Sequence, residues 1–180
     1  MTKKVLVLSA SFRKHGNSDM LCDRFIQGAR EAGNEVEKIY VSDMRIGYCR
    51  GCGVCNRTHK CVQNDDMAAV LDKMVAADVI VMATPVYFYS MNGQLKTLID
   101  RTVPRYEEIR GKDLFSRLAA ADDNRDNMRR TIEGFRAFAD DCLEGSREKG
   151  IVYGVGAWQA GDIKSSPAMQ EAYEMGRGVK

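Results

Sequence analysis

Val5-Leu6-Val7-Leu8-Ser9-Ala10-Ser11-Phe12-Arg13-Lys14-His15-Gly16-Asn17-Ser18 is the stretch from which the fold is read. Val5 to Leu8 is a continuous apolar run, the pattern of a strand buried on both faces of a parallel sheet. A helix follows over Ser18 to Ala32, with Met20, Leu21, Phe25 and Ala29 recurring on one side and Gly33 as its stop. Between them lies a short polar loop. Strand, loop and helix in this order open an α/β crossover, and the rest of the chain repeats the unit.

Working outward, Glu35 to Val41 reads as a second, partly charged strand near a sheet edge. Ser42 to Asn64 is irregular and holds four of the six cysteines. Asp65 or Asp66 caps a helix through about Ala76, and Val79 to Ala83 is another buried strand ending at Thr84-Pro85. Asn92 opens a helix to about Val103, before Pro104. Lys112 to Ala121 fits either period and is read as an ambiguous fourth strand. Asn124 to Leu143 is helical, Lys149 to Val155 is a fifth strand, and Ser165 to Met175 is a closing helix. Five alternations of strand and helix predict an open parallel α/β sheet with right-handed crossovers. The 180 residues suit one domain, 1–180, with a Cys-rich insert at about 42–64.

Bulk properties exclude several classes. Net charge is +2, from 27 basic and 25 acidic residues, too small for a nucleic-acid or membrane-surface partner. No apolar run reaches the roughly 18 residues of a spanning helix. The N-terminus Met1-Thr2-Lys3-Lys4 has no signal-peptide pattern, so a cytoplasmic location is expected. Thiols stay reduced there, and six cysteines call for a role other than disulfides.

The loop from Ser9 to Ser18 has the chemistry of a phosphate site. A helix N-terminus presents unpaired N–H groups and a partial positive charge. Hydroxyls of Ser11 and Ser18, the Asn17 amide and the Arg13 fork add donors, and Gly16 allows a close turn. Neither G-x-G-x-x-G nor G-K-[ST] is present. A second loop, Ala83-Thr84-Pro85-Val86-Tyr87-Phe88-Tyr89-Ser90, offers aromatic faces and backbone donors to a flat heterocycle with one polar edge. A third, Gly154-Val155-Gly156-Ala157-Trp158, brings the only tryptophan. Trp158 is read equally as a stacking residue or a packing anchor.

The spacing Cys49-x2-Cys52-x2-Cys55-x5-Cys61 wraps thiolates around one metal centre, with Gly51 and Gly53 easing the backbone. It fits a [4Fe–4S] cluster on four cysteines. Zinc on Cys52, Cys55, His59 and Cys61, or a metal-free loop with free or paired thiols, are the alternatives. Cys22 and Cys142 sit on helices and are expected to be core thiols.

Ser11-Phe12-Arg13-Lys14-His15-Gly16-Asn17-Ser18 resembles the S-P-R-x-x-G-N-[ST] phosphate loop of the NADPH-dependent FMN reductase family, with Phe12 in place of the proline. Thr84-Pro85-Val86-Tyr87-Phe88 resembles that family's T-P-V-Y-[FW] isoalloxazine loop. Gln94 to Arg101 is similar to its following helix, in which Asp100 and Arg101 are placed to pair across an interface. The cysteine spacing resembles that of the family's iron–sulfur flavoprotein branch. The resemblance implies a flavodoxin-like three-layer sandwich: a five-stranded parallel sheet of order 2-1-3-4-5 with helices on both faces. It implies FMN held by Ser9, Ser11, Phe12, Arg13, Asn17, Ser18, Pro85, Val86, Tyr87, Phe88, Ser90, Gly156 and Trp158, and a [4Fe–4S] cluster on Cys49, Cys52, Cys55 and Cys61. NAD(P)H is a candidate reductant, and a small redox acceptor or a protein donor such as ferredoxin a candidate partner. A homodimer or homotetramer is expected, with Arg101 to Ile109 as candidate contact surface. The leading expectation is an FMN-dependent oxidoreductase that relays electrons between cluster and flavin. A cluster-free NAD(P)H-dependent FMN or quinone reductase and a pure flavodoxin-type carrier are its rivals. No acid–base dyad or triad stands out, so no protein side chain is assigned a catalytic role.

Overall fold

A computed structural model describes residues 1–180. Its elements are β1 (Lys4–Ser9), α1 (Asn17–Glu31), β2 (Glu35–Tyr40), α2 (Cys55–Thr58), α3 (Met67–Ala76), β3 (Val79–Tyr87), β4 (Ser90–Met91), α4 (Gly93–Asp100), β5 (Asp113–Ala119), α5 (Arg129–Cys142), β6 (Arg147–Gly154) and α6 (Ala168–Arg177). The five long strands are parallel in the order β2-β1-β3-β5-β6, and the two-residue β4 folds back antiparallel on the end of β3. This is the expected five-stranded order, with one short strand added.

Strand alternation divides the core into two layers. Leu6, Leu8, Ile80, Met82, Leu114 and Leu118 face α3, α4 and α5. Val5, Val7, Val79, Val81, Ala83 and Phe115 face α1, where Cys22, Phe25, Ile26 and Ala29 meet them. Leu21, Val152, Ala168 and Ala172 continue that layer beneath α6. Both faces of the sheet are covered, which explains the unbroken apolar runs of β1 and β3.

Several boundaries differ from the sequence reading. β3 continues beyond Ala83 through Pro85 to Tyr87. Pro85 ends the pairing with β5 opposite Ala119, where a missing N–H matters least. α4 stops at Asp100, short of Val103. α5 starts at Arg129, because the Asn124 side chain accepts the Asp126 N–H (2.9 Å) and caps a separate 3₁₀ turn over Arg125–Met128. The ambiguous Lys112–Ala121 segment is a strand, paired on both sides by β3 and β6.

β5 also carries the least comfortable residue in the core. Arg117 has no solvent exposure. Its Nη1 donates to the Ser116 carbonyl (2.9 Å), while Nε and Nη2 have no partner. The guanidinium lies over the Phe25 ring at 4.4 Å from the centroid. Burial pushes its pKa down to about 9.

Candidate functional site

The polar loop after β1 is a tight structure. Gly16 N–H donates to the Arg13 carbonyl (2.9 Å), and Ser11 Oγ accepts the Arg13 N–H (3.1 Å). A Cβ on Gly16 would lie 2.8 Å from the Arg13 carbonyl oxygen, so only glycine closes this turn. Gly16 precedes α1, and no side chain caps the helix's first turn. Its N–H groups therefore stand open for an anion, flanked by Arg13 and by the nearly buried Ser18.

Two expected ligands are used inside the fold instead. Ser9 Oγ donates to Asp19 Oδ1 (2.8 Å) beneath the loop. Ser9 shares its strand face with Val5 and Val7, so strand alternation was the available signal. Asn17 clamps the third loop: its Nδ2 donates to the carbonyls of Ala157 (3.1 Å) and Gln159 (2.8 Å), and its Oδ1 accepts the Gly161 N–H (2.9 Å). Asn17 thus positions the Trp158 loop.

Asp19 is a residue the sequence reading missed. It sits fully buried in the first turn of α1 and accepts Ser9 Oγ, the His15 N–H (2.9 Å) and Lys38 Nζ (2.6 Å). Burial pushes its pKa up, but the bonds from Lys38, His15 and Ser9 outweigh this and hold the carboxyl below its usual range. The signal for Asp19 was an acid three residues after Gly16, reaching back to a backbone N–H as in a capping box. Lys38 also pairs with Asp23 (2.6 Å). Burial opposes its charge, and the bonds to Asp19 and Asp23 prevail and raise its pKa.

The second loop is a hairpin. Val86 pairs with Met91 and Tyr87 with Ser90. The turn residues Phe88 (φ 49°) and Tyr89 (φ 61°) are both left-handed, the sign pattern of a type I′ turn. Phe88 is wholly exposed and Tyr87 about half exposed (53 %), so these aromatics do not pack in a core. Behind them Asn92, nearly buried, joins two loops. Its Nδ2 donates to the Ala10 carbonyl (2.6 Å), and its Oδ1 accepts Thr84 Oγ1 (3.2 Å) and the Leu95 N–H (3.2 Å). Trp158 is 72 % exposed, so it anchors no packing within the chain.

The cysteine segment is a loop closed at its neck. Arg45 N–H donates to Asp66 Oδ2 (2.7 Å), Asp66 N–H to the Arg45 carbonyl (3.0 Å) and Gly47 N–H to Asp65 Oδ2 (3.0 Å). Gly51 (φ 62°) and Gly53 (φ 69°) turn in the left-handed region between the cysteines. Cys49, Cys52, Cys55 and Cys61 all line one cavity of about 220 Å³, with Arg101 and Pro104 among its walls. His59 opens into a separate neighbouring cavity, shared with Cys55 and Arg105. The only trio of ligand-type side chains with donor atoms within 4.8 Å of one another is His15, Asp19 and Asp23, whose two carboxylates both pair with Lys38. No three of the four thiols lie within 4.8 Å of one another.

Three further expectations are corrected. Arg101, expected to pair across an interface, is buried and binds Asp65 through Nη1 (2.7 Å) and Nη2 (2.9 Å). Asp100 pairs with Lys96 on its own helix. Cys142, expected in the core, is exposed, whereas Cys22 is buried and its thiol is pushed up to about 12 by burial.

Residues 3–123 match the family model described as NADPH-dependent FMN reductase. The chain belongs to the NADPH-dependent FMN reductase family. The match covers β1, the phosphate loop, the cysteine loop, the β3–β4 hairpin and β5. The chain is 38% identical over 101 residues to an iron-sulfur flavoprotein of Archaeoglobus fulgidus, 56% of this chain and 46% of that one. It is 39% identical over 101 residues to an iron-sulfur flavoprotein of Methanocaldococcus jannaschii, 56% of this chain and 52% of that one. The chain thus spans about half the length of the curated relatives it matches. The solved NAD(P)H:quinone oxidoreductase from Methanothermobacter marburgensis superposes with a TM-score of 0.77 at 14% identity, covering 100% of both chains. That likeness is one of fold. No helix of this family member is long and apolar enough to cross a membrane.

Proposed function

We propose that this member of the NADPH-dependent FMN reductase family is an FMN-dependent oxidoreductase of the iron–sulfur flavoprotein type, with a [4Fe–4S] cluster on Cys49, Cys52, Cys55 and Cys61. The observation that carries the reading is the single cavity lined by all four thiols. Its loop starts beside the phosphate loop: Ser42 Oγ donates to the Ser11 carbonyl (3.2 Å), Lys14 pairs with Asp43 (2.8 Å), and Phe12 and Tyr48 line one cleft. The relatives named as iron-sulfur flavoproteins support the same assignment.

Ser11, Arg13, Ser18 and the open first turn of α1 would hold the FMN phosphate. Pro85, Val86, Tyr87, Phe88 and Ser90 on the hairpin, with Gly156 and Trp158 opposite, would supply the faces and backbone donors for the ring. When bound, the flavin supplies one- and two-electron chemistry and the cluster one-electron chemistry, so the pair links unlike donors and acceptors. The chain's own part is to bind, orient and screen. The aromatics left in solvent, Phe12, Phe88 and Trp158 among them, favour a homo-oligomer that covers them. A protein donor or NAD(P)H, a small redox acceptor and a cytoplasmic setting complete the proposal.

Anaerobic purification with iron, sulfide and flavin analysis tests it. About four irons per chain are expected, and fewer than about two would sink the cluster assignment. Arg13→Ala with Ser18→Ala is expected to strip FMN; unchanged flavin content would refute the phosphate site. The second reading, a cluster-free NAD(P)H-dependent reductase, is favoured by the family description itself. It predicts flavin bleaching by NADPH under argon in protein that holds no iron.

A further inference from the structure

Arg101 brings a buried positive charge to the cysteine loop. It follows α4 and is 2 % exposed. Its Nη1 donates to Asp65 Oδ2 and to the Gly47 carbonyl (2.6 Å), and its Nη2 donates to Asp65 Oδ1 and to Cys61 Sγ (3.5 Å). Its Nε is buried without a partner. Asp65 closes the neck of the same loop through the Gly47 N–H. One ion pair therefore shares in closing the loop and aims a guanidinium N–H at a sulfur.

A plain structural salt bridge accounts for the Asp65 contacts. It does not account for the sulfur contact, for the place of Arg101 in the wall of the four-cysteine cavity, or for the unpartnered Nε. A fold retains a buried donor without an acceptor at a standing cost, and a ligand that supplies the acceptor removes that cost. Guanidinium stays charged at every working pH, so the charge is permanent. Four thiolates leave an oxidised cluster anionic, and each added electron makes it more so. A fixed cation and an N–H···S bond at one thiolate favour the reduced state.

We propose that Arg101 is the positioning residue of Cys61 and sets the reduction potential of the cluster, raising it, with Asp65 as the counter-charge that limits the rise. The proposal rests on the cluster reading above and deepens it.

Midpoint potentials of anaerobically prepared wild type, Arg101→Gln, Arg101→Lys and Asp65→Asn test it, followed by the electron-spin signal of the reduced cluster, with the flavin couple as internal reference. Arg101→Gln is expected to lower the potential by at least tenfold in the reduction equilibrium, about 59 mV for one electron. Arg101→Lys keeps the charge without the fork and falls between. Asp65→Asn removes the counter-charge and moves the potential the other way. A purely structural ion pair gives no such opposite signs, since breaking either partner loosens the same loop. Potentials that stay put, or that move in the same direction for Arg101→Gln and Asp65→Asn, overturn the proposal while leaving the cluster in place. If Arg101→Gln assembles no cluster, Asp65→Asn decides: a raised potential supports the proposal and any other result overturns it. Wild type without iron defeats the cluster reading itself, and this proposal with it.

Discussion

Asn92 spends both ends of its amide inside the protein, on Ala10, Thr84 and Leu95, so its removal strands a carbonyl and an N–H in the core. Asn92→Ala is expected to cost about 2–3 kcal/mol, read as a lower urea midpoint at unchanged slope, and to loosen flavin binding because the first and second loops lose their tie. Asp19 gives the fold an acid limit. Its folded-state pKa lies below its unfolded value, so its contribution is present above about pH 4 and is lost as pH falls through the lowered value. Unfolding midpoints compared across the acid range for wild type and Asp19→Asn check this: the variant is weaker at neutral pH, and the gap closes in acid. A gap that stayed constant would show that Asp19 acts by shape alone. Residue types in the Ser9–Ser18 loop were legible, but the directions of their side chains were not. Ser9 and Asn17 have the right chemistry for a phosphate and point at Asp19 and at the Trp158 loop instead.

The β3–β4 hairpin turns on two bulky residues where Asn-Gly is the usual solution. Left-handed backbone at Phe88 and Tyr89 stores about 1 kcal/mol at each. Phe88→Asn with Tyr89→Gly is therefore expected to raise thermal stability by about 1–2 kcal/mol while weakening flavin binding or turnover. A double variant that lost stability would show that the aromatics brace the turn. Sequence could not reveal this hairpin, because Thr84-Pro85 reads as a strand terminator and a two-residue strand carries no periodicity. The cysteine loop shows the reverse: its spacing was plain in the sequence, but the neck formed by Arg45, Gly47, Asp65 and Asp66 depends on pairings 18 and 21 residues apart.

At the scale of the whole molecule, alternation of strands and helices was enough for the layer architecture, since apolar runs report burial on both faces, whereas the strand order came with the resemblance carried by the loop motifs. The inner strand β5, between β3 and β6, resisted that reading because Ser116-Arg117 interrupts its apolar run. The interruption is a charge with two unpartnered nitrogens in a close-packed layer. A base whose folded-state pKa is depressed destabilises the fold wherever it is charged, so Arg117→Met is expected to stabilise by about 1–3 kcal/mol. For a chain of this length that corresponds to a melting point several degrees higher, roughly 2–4 °C per kcal/mol. A lower melting point would mean that the stacking on Phe25 outweighs the dehydrated charge. Temperature gives Arg117 a second consequence. Hydration of ions weakens on heating, so the penalty for burying one shrinks as the sample warms. The advantage of Arg117→Met should therefore be widest near freezing and narrow towards the melting point. In the native protein the same arginine lowers the cold side of the stability curve more than the warm side, moving the temperature of greatest stability upward.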